Sequence, residues 1–333
     1  MPRSILVTGG AGFIGSHVVD ALLESGEYEV YCVDNFDPFY DPSIKINNQQ
    51  QANKDPRYHF VELDLRVTTP AILVNLFKSV SFEAIIHLAA KAGVRPSIAN
   101  PGIYYDVNVK GTLHLLEFAR LAGIQQFLFA SSSSVYGNNP NIPWKESDLL
   151  YQPISPYAAT KLSGEEMGKV YSRLYNIHFV ILRLFTVYGP RQRPDLAIHQ
   201  FYNLIRANRP VTLFGDGSTK RDYTYISDIV SGIVAAITYQ GEGNMIFNLG
   251  NSKQITLLRM IQLLEDSMHT QAIVNWQDEQ PGDVSQTYAD ISKASELLKY
   301  SPQMSFEEGI RHFVEWKEKA ERPVNTGNIK IYE

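Results

Sequence analysis

A chain of 333 residues, 44% hydrophobic and 20% charged, has ordinary globular composition and enough apolar residue for one large core or two smaller ones. The net charge of −5 speaks against a general nucleic-acid binder, so an anionic small ligand has to be held by a few local arginines. No apolar run approaches a bilayer span. The N-terminus enters a strand-like run directly, with no room for a signal peptide, and the one cysteine, Cys32, excludes an internal disulfide framework. These features predict a cytoplasmic protein that spans no membrane.

The elements alternate in chain order. "SILVT" (4–8) is apolar and β-branched, and Gly12 to Leu23 has helical spacing. "YEVYCV" (28–33), "YHFVEL" (58–63), "EAIIHLA" (83–89), "QFLFASS" (126–132) and "HFVILRL" (178–184) follow at intervals that hold helices. Near-continuous apolar strands separated by helices predict a doubly wound α/β fold with a parallel sheet covered on both faces. After about residue 185, turn signals such as "YGPRQRPD" (188–195) and "FGDGS" (214–218) become frequent. The predicted division is a Rossmann domain over 1–185, a smaller α/β domain over 186–320 and a polar tail over 321–333. "IFNL" (246–249) is a candidate to rejoin the first sheet, so that domain also takes in about 225–250.

The strongest local signal is "ILVTGGAGFIGSH" (5–17), with Gly9, Gly12 and Gly15 between a strand and a helix. The first glycine permits a tight turn, the second a close approach to a pyrophosphate, and the third close helix–strand packing. The helix N-terminus offers unpaired N–H groups and partial positive charge to phosphates. Phe13 and Ile14 lie within the turn. Asp34, followed by Asn35, ends the second strand, where an acid accepts from the adenosine ribose and repels a 2′-phosphate. The expected cofactor is therefore NAD. Asp64, followed by Leu65, either meets the adenine amino group or caps a helix. Leu88, Ala89 and Ala90 end the fourth strand with small residues suited to a neighbouring dinucleotide. Asn108 either polarises a ring or backbone group or satisfies a neighbouring loop. No metal site is expected.

"SPYAATK" (155–161) places Tyr157 and Lys161 four apart, on one helical face. A lysine ammonium beside a phenol favours the phenolate, which suits a general base. Ser155 can cap the helix and Pro156 can open it. With 19 tyrosines in the chain, the pair gains meaning only beside a cofactor and a substrate.

These stretches carry a resemblance. "TGGAGFIGSH", "HLAA", "NVKGT", "ASSSSVYG", "SPYAATK", "RLFTVYGP", "RDYTYISD" and "PGD" occur in order across residues 8–283. The chain resembles an extended short-chain dehydrogenase/reductase of the nucleotide-sugar 4-epimerase kind. The resemblance implies a Rossmann domain, a C-terminal UDP-sugar domain and a catalytic group of Ser132, Tyr157 and Lys161. In it Lys161 holds the nicotinamide ribose and lowers the pKa of Tyr157. Related 4,6-dehydratases usually carry Asp-Glu after the catalytic Ser/Thr, and decarboxylases Ser-Glu. Ser133 and Ser134 stand here instead, so dehydration lacks its proton carriers.

The surrounding motifs look most like UDP-glucuronate 4-epimerases. UDP-glucose/UDP-galactose 4-epimerase is the alternative, and a decarboxylase or a non-catalytic NAD-binding regulator stands further off. A C6 carboxylate needs donors and no nearby acid. Ser133, Ser134 and Thr186 offer hydroxyls, and Arg193 or Arg95 offers charge. Arg193 has two other readings, a solvated loop residue or a phosphate contact. The resemblance assigns Arg221 to the diphosphate, Thr212 and Phe214 to the uracil, and Asp283 to the acid of an Arg-Pro-Gly-Asp whose arginine is Gln280 here. It also implies a homodimer joined through helices over 104–123 and 155–175.

Overall fold

The computed structural model describes residues 2–149, 152–241, 243–278 and 284–321. Its strands are β1 (Arg3–Thr8), β2 (Tyr28–Asp34), β3 (Tyr58–Glu62), β4 (Phe82–His87), β5 (Gln126–Ser132), β6 (His178–Leu184), β7 (Thr186–Tyr188), β8 (Val211–Phe214), β9 (Lys220–Tyr225), β10 (Asn244–Leu249), β11 (Gln254–Thr256) and β12 (Val274–Gln277). Seven of them form one sheet in the order β10-β6-β5-β4-β1-β2-β3. Every pairing in it is parallel. The winding direction reverses between β1 and β4, which opens a crevice at their C-terminal ends, where such sheets bind ligands.

The strands are apolar on both faces because helices cover both. Ile5 and Val7 pack in one core with Val18, Val19 and Leu22 of the helix Phe13–Glu24. Leu6, between them, packs on the other face with Leu115, Leu116 and Phe118 of the helix Gly111–Ala122. The expected strand over 83–89 stops at His87, and Leu88–Ala90 run on as irregular chain beside the crevice. The helix expected over 104–123 is wound as π-helix at Tyr105–Lys110 before it becomes α-helical. Such local widening often accompanies functional sites.

The helix Pro156–Tyr175 is capped as its sequence predicts, with the Ala158 N–H donating to Ser155 Oγ at 3.1 Å and Pro156 in the first turn. Gly164 and Gly168 let it lie close on the sheet. A Cβ at these positions would come within 2.4 Å of Phe129 and 1.9 Å of Phe179. Beyond β6, β7, β9 and β11 form a three-stranded sheet, and β8 pairs with β12. Among the described residues no helix is long and apolar enough to cross a membrane.

Candidate active site

A cavity of about 1190 Å³ runs from the crevice of the large sheet to β8 and β9. Gly9 has φ +70°, a left-handed turn, and a Cβ there would sit 2.7 Å from the Ala89 nitrogen. A Cβ on Gly15 would meet the Gly9 carbonyl at 2.1 Å. The glycines leave the backbone bare at the cavity wall, which Phe13 and Ile14 also line. Asp34 is buried. Its Oδ1 accepts from Lys45 Nζ at 2.8 Å and the Phe36 N–H at 3.0 Å, while Oδ2 has no partner. A bare carboxylate oxygen beside a glycine turn at a helix N-terminus fits the ribose and pyrophosphate of NAD. Asn35, Leu65, Leu88, Ala89 and Ala90 line the same end.

Two of the expected residues have partners of their own. Asp64 lines the cavity but is gripped by Arg66, whose Nη2 donates to its Oδ2 at 2.6 Å. Burial would raise this carboxyl, and the Arg66 hydrogen bonds hold it below the ordinary aspartate range. Asn108 does not line the cavity. Its Oδ1 accepts from the Lys91 N–H at 2.8 Å, and its Nδ2 donates to the Lys91 carbonyl at 2.9 Å and to Thr160 Oγ1 at 3.0 Å. It braces the loop after β4, the second of the two readings its sequence left open.

Ser132, at the end of β5, accepts from the Ser134 N–H at 3.2 Å and lines the cavity with Tyr157. Tyr157 is half-buried and lines the cavity. Its N–H donates to Ser97 Oγ at 3.1 Å. Burial raises the Tyr157 pKa, and the Ser132 hydrogen bond and the Arg193 charge oppose that rise. Arg193 is the charge that opposes the rise. Lys161 Nζ donates to the Ala130 carbonyl at 2.7 Å. Burial pushes the Lys161 ammonium down to about 7, against a smaller opposing effect of Glu165.

The serine turn continues to the sugar end. Ser133, Ser134 and Thr186 line the cavity, and Ser134 Oγ is buried without a partner. Arg193 is there too, but its Nε and Nη2 donate to Asp195 at 2.9 and 2.6 Å, and its guanidinium lies 5.5 Å from the centre of the Phe39 ring. The expectation of no nearby acid fails, because the acid lies two residues along the same turn. Arg95 stacks over Phe214 at 4.7 Å, and Thr212 and Arg221 complete that wall. Asp283 and Gln280 lie outside the described residues. Sequence reasoning missed Lys45, Lys91, Phe39 and Asp195, all cavity residues. Lys91 directly follows the small residues Leu88–Ala90, and Asp195 ends the turn stretch "YGPRQRPD". Among the described residues no cluster of His, Cys, Asp or Glu could hold a metal ion.

Residues 6–313 match the family of GDP-mannose 4,6 dehydratase. The chain belongs to this family. Within it, a UDP-glucuronate 4-epimerase of Thermodesulfobacterium geofontis is 41% identical over 313 residues, 93% of this chain and 95% of that protein. The crystal structure of UDP-glucuronic acid 4-epimerase from Bacillus cereus, in complex with UDP-glucuronic acid and NAD, is similar with a TM-score of 0.90. The two are 39% identical over 96% of this chain and 100% of that one. A UDP-glucose 4-epimerase from Thermotoga maritima, with UDP-glucose, is similar at TM-score 0.87 and 33% identity, over 96% and 99% of the two chains. The extended short-chain dehydrogenase/reductase resemblance of the motifs therefore holds along the whole described fold.

Proposed function

We propose that this chain is an NAD-dependent isomerase that interconverts UDP-glucuronate and UDP-galacturonate at C4. The observation that carries the reading is the serine turn. It places Ser132 by Tyr157, has no carboxylate at 133 or 134, and faces Arg193 and Thr186 across one cavity. The relatives most alike in sequence and fold include epimerases of UDP-glucuronate, which supports it.

The residues have separable tasks. Bound NAD⁺ supplies the acceptor, and then the donor, of the hydride exchanged with C4. Asp34 and the glycine turn hold its adenosine and phosphate end, and Lys161 lies beneath the catalytic tyrosine. Tyr157 takes the proton from the O4 hydroxyl, with Ser132 sharing the hydrogen bond, and a 4-keto sugar results. After the sugar turns over, Tyr157 returns the proton to O4. Arg221, Thr212 and Phe214 hold the UDP group, so that the sugar can rotate without leaving. Arg193, Ser133, Ser134 and Thr186 supply donors to the C6 carboxylate.

We further propose a cytoplasmic homodimer. Leu113 and Leu121 on one helix, and Val170 and Leu174 on its neighbour, are apolar and exposed, which supports pairing through these helices. Incubation of the pure protein with UDP-glucuronate and with UDP-glucose, followed by separation of products, tests the function. UDP-galacturonate is the expected product. Faster conversion of UDP-glucose to UDP-galactose would overturn the substrate assignment, and no conversion of either would overturn the enzyme.

A further inference from the structure

The turn that carries Arg193 is held from outside at three successive residues. His17 Nε2 lies 3.0 Å from the Pro190 carbonyl. Arg191 Nη1 lies 2.7 Å from Asp20 Oδ2, an ion pair without straight hydrogen-bond geometry. His199 Nδ1 lies 2.8 Å from the Gln192 carbonyl. A carbonyl only accepts, so both ring nitrogens must carry protons. Burial lowers both imidazole pKa values, that of His17 to about 4, so each is the neutral tautomer at neutral pH. Arg191 has φ +61°, a left-handed conformation that a side-chain-bearing residue keeps only when its surroundings over-determine it.

Beyond this pinned stretch Arg193 is fixed a second time, by the two-point contact with Asp195. Its backbone position and its guanidinium plane are therefore set separately. The first setting comes largely from His17 and Asp20. They lie three apart on one face of the helix Phe13–Glu24, whose N-terminus opens on the glycine turn. Phe13, in the first turn of that helix, lines the cavity and meets the His17 ring edge-on at 6.1 Å.

We infer that Asp20 and His17 are positioning residues for Arg193, and that through them the cofactor-binding helix sets the preference for an anionic C6 group. The inference rests on the proposed contact between Arg193 and the C6 carboxylate. Two-point recognition of a carboxylate tolerates little displacement of the guanidinium, whereas a hydroxymethyl group needs no such partner. Slackening the turn should therefore harm the acidic sugar selectively.

The test compares Asp20→Asn and Arg191→Gln, in NAD-loaded protein, with wild type and with Arg193→Ala. Calorimetric affinities for UDP-glucuronate, UDP-glucose and UDP, turnover, bound NAD and melting temperature are measured. Each turn variant should raise KM and Kd for UDP-glucuronate about three- to thirtyfold, less than deletion of a charge-assisted contact. kcat, bound NAD and the affinities for UDP-glucose and UDP should stay within about twofold. In the Arg193→Ala background the same substitutions should add nothing. Equal weakening of both sugars, unchanged affinity for UDP-glucuronate in a folded variant, or effects that multiply with Arg193→Ala would overturn the inference. Failure to make UDP-galacturonate would instead strike the function, while the ratio of affinities would still decide the role of Asp20.

Discussion

Arg183→Met should strand a carboxylate inside the molecule. Glu165 and Arg183 are almost wholly buried. Arg183 Nε and Nη2 donate to Glu165 at 3.0 and 2.7 Å, its Nη1 donates to Tyr136 at 3.0 Å, and Ser131 Oγ donates to Glu165 Oε1 at 2.5 Å. Removing one partner of such a pair typically costs about 3–5 kcal/mol, since the survivor keeps its desolvation penalty and loses its attraction. Against a total stability of about 5–15 kcal/mol this is a large fraction, readable as a lower urea midpoint at unchanged slope. Glu165→Gln/Arg183→Met removes the charge altogether and should recover more than half of the loss. A single variant that loses less than about 1 kcal/mol, or a double variant no better than the single, would refute the burial argument.

Tyr157→Phe should lower kcat about 10²–10⁴-fold while melting temperature and bound NAD stay at wild-type values; a near wild-type rate would put the base elsewhere. Arg193→Ala and Thr186→Val should each weaken UDP-glucuronate far more than UDP-glucose, about ten- to a hundredfold for the arginine by calorimetry. Equal weakening of both sugars and UDP would make Arg193 a phosphate contact. Lys161 should make nucleotide-free protein more stable as pH rises. Its folded pKa of about 7 lies below the ordinary 10.5, so the unfolded chain binds the extra proton between these values. Urea midpoints from about pH 7 to 9.5 should climb in wild type and flatten in Lys161→Met; the same slope in both would refute burial of that ammonium.

The parts of this site legible in the sequence are those whose chemistry is local. The glycine spacing dictates a strand–turn–helix junction, and Gly9 and Gly15 sit where a Cβ would strike backbone. Ser155-Pro156 announces a helix start, and the helix delivers Tyr157 and Lys161 from one face. What was not legible depends on long-range partners. Nothing near Asn108 in the chain decides between its two readings, and the fold spends its amide on the Lys91 backbone. Likewise, Lys161 in sequence is only four residues from Tyr157, yet in the fold the ammonium meets the Ala130 carbonyl, brought beside it by β5. Arg193 comes near Tyr157 only once the turn after β7 closes on the first helix.

The same long-range pairing explains how a chain of net charge −5 can offer an anion-binding cavity. Of the cations that line it, Lys45 is paired with Asp34, Lys91 with Asp37 at 2.5 Å and Arg193 with Asp195, and Arg95 stacks on Phe214. A bare buried ammonium or guanidinium would cost several kcal/mol before any ligand arrived. An acid on one edge removes that cost and fixes the side chain in place. A guanidinium has five N–H donors, and Asp195 engages the Nε and Nη2 edge of Arg193, which leaves the end-on Nη1–Nη2 edge to address a second carboxylate at two points. Recognition of the acidic sugar then adds an anion to a cation already ordered, and the entropy of ordering it is not charged to binding. Under the proposed contact of Arg193 with the C6 carboxylate, Asp195 holds the guanidinium in place, and in the sequence an acid beside that arginine reads only as an obstacle to an anion.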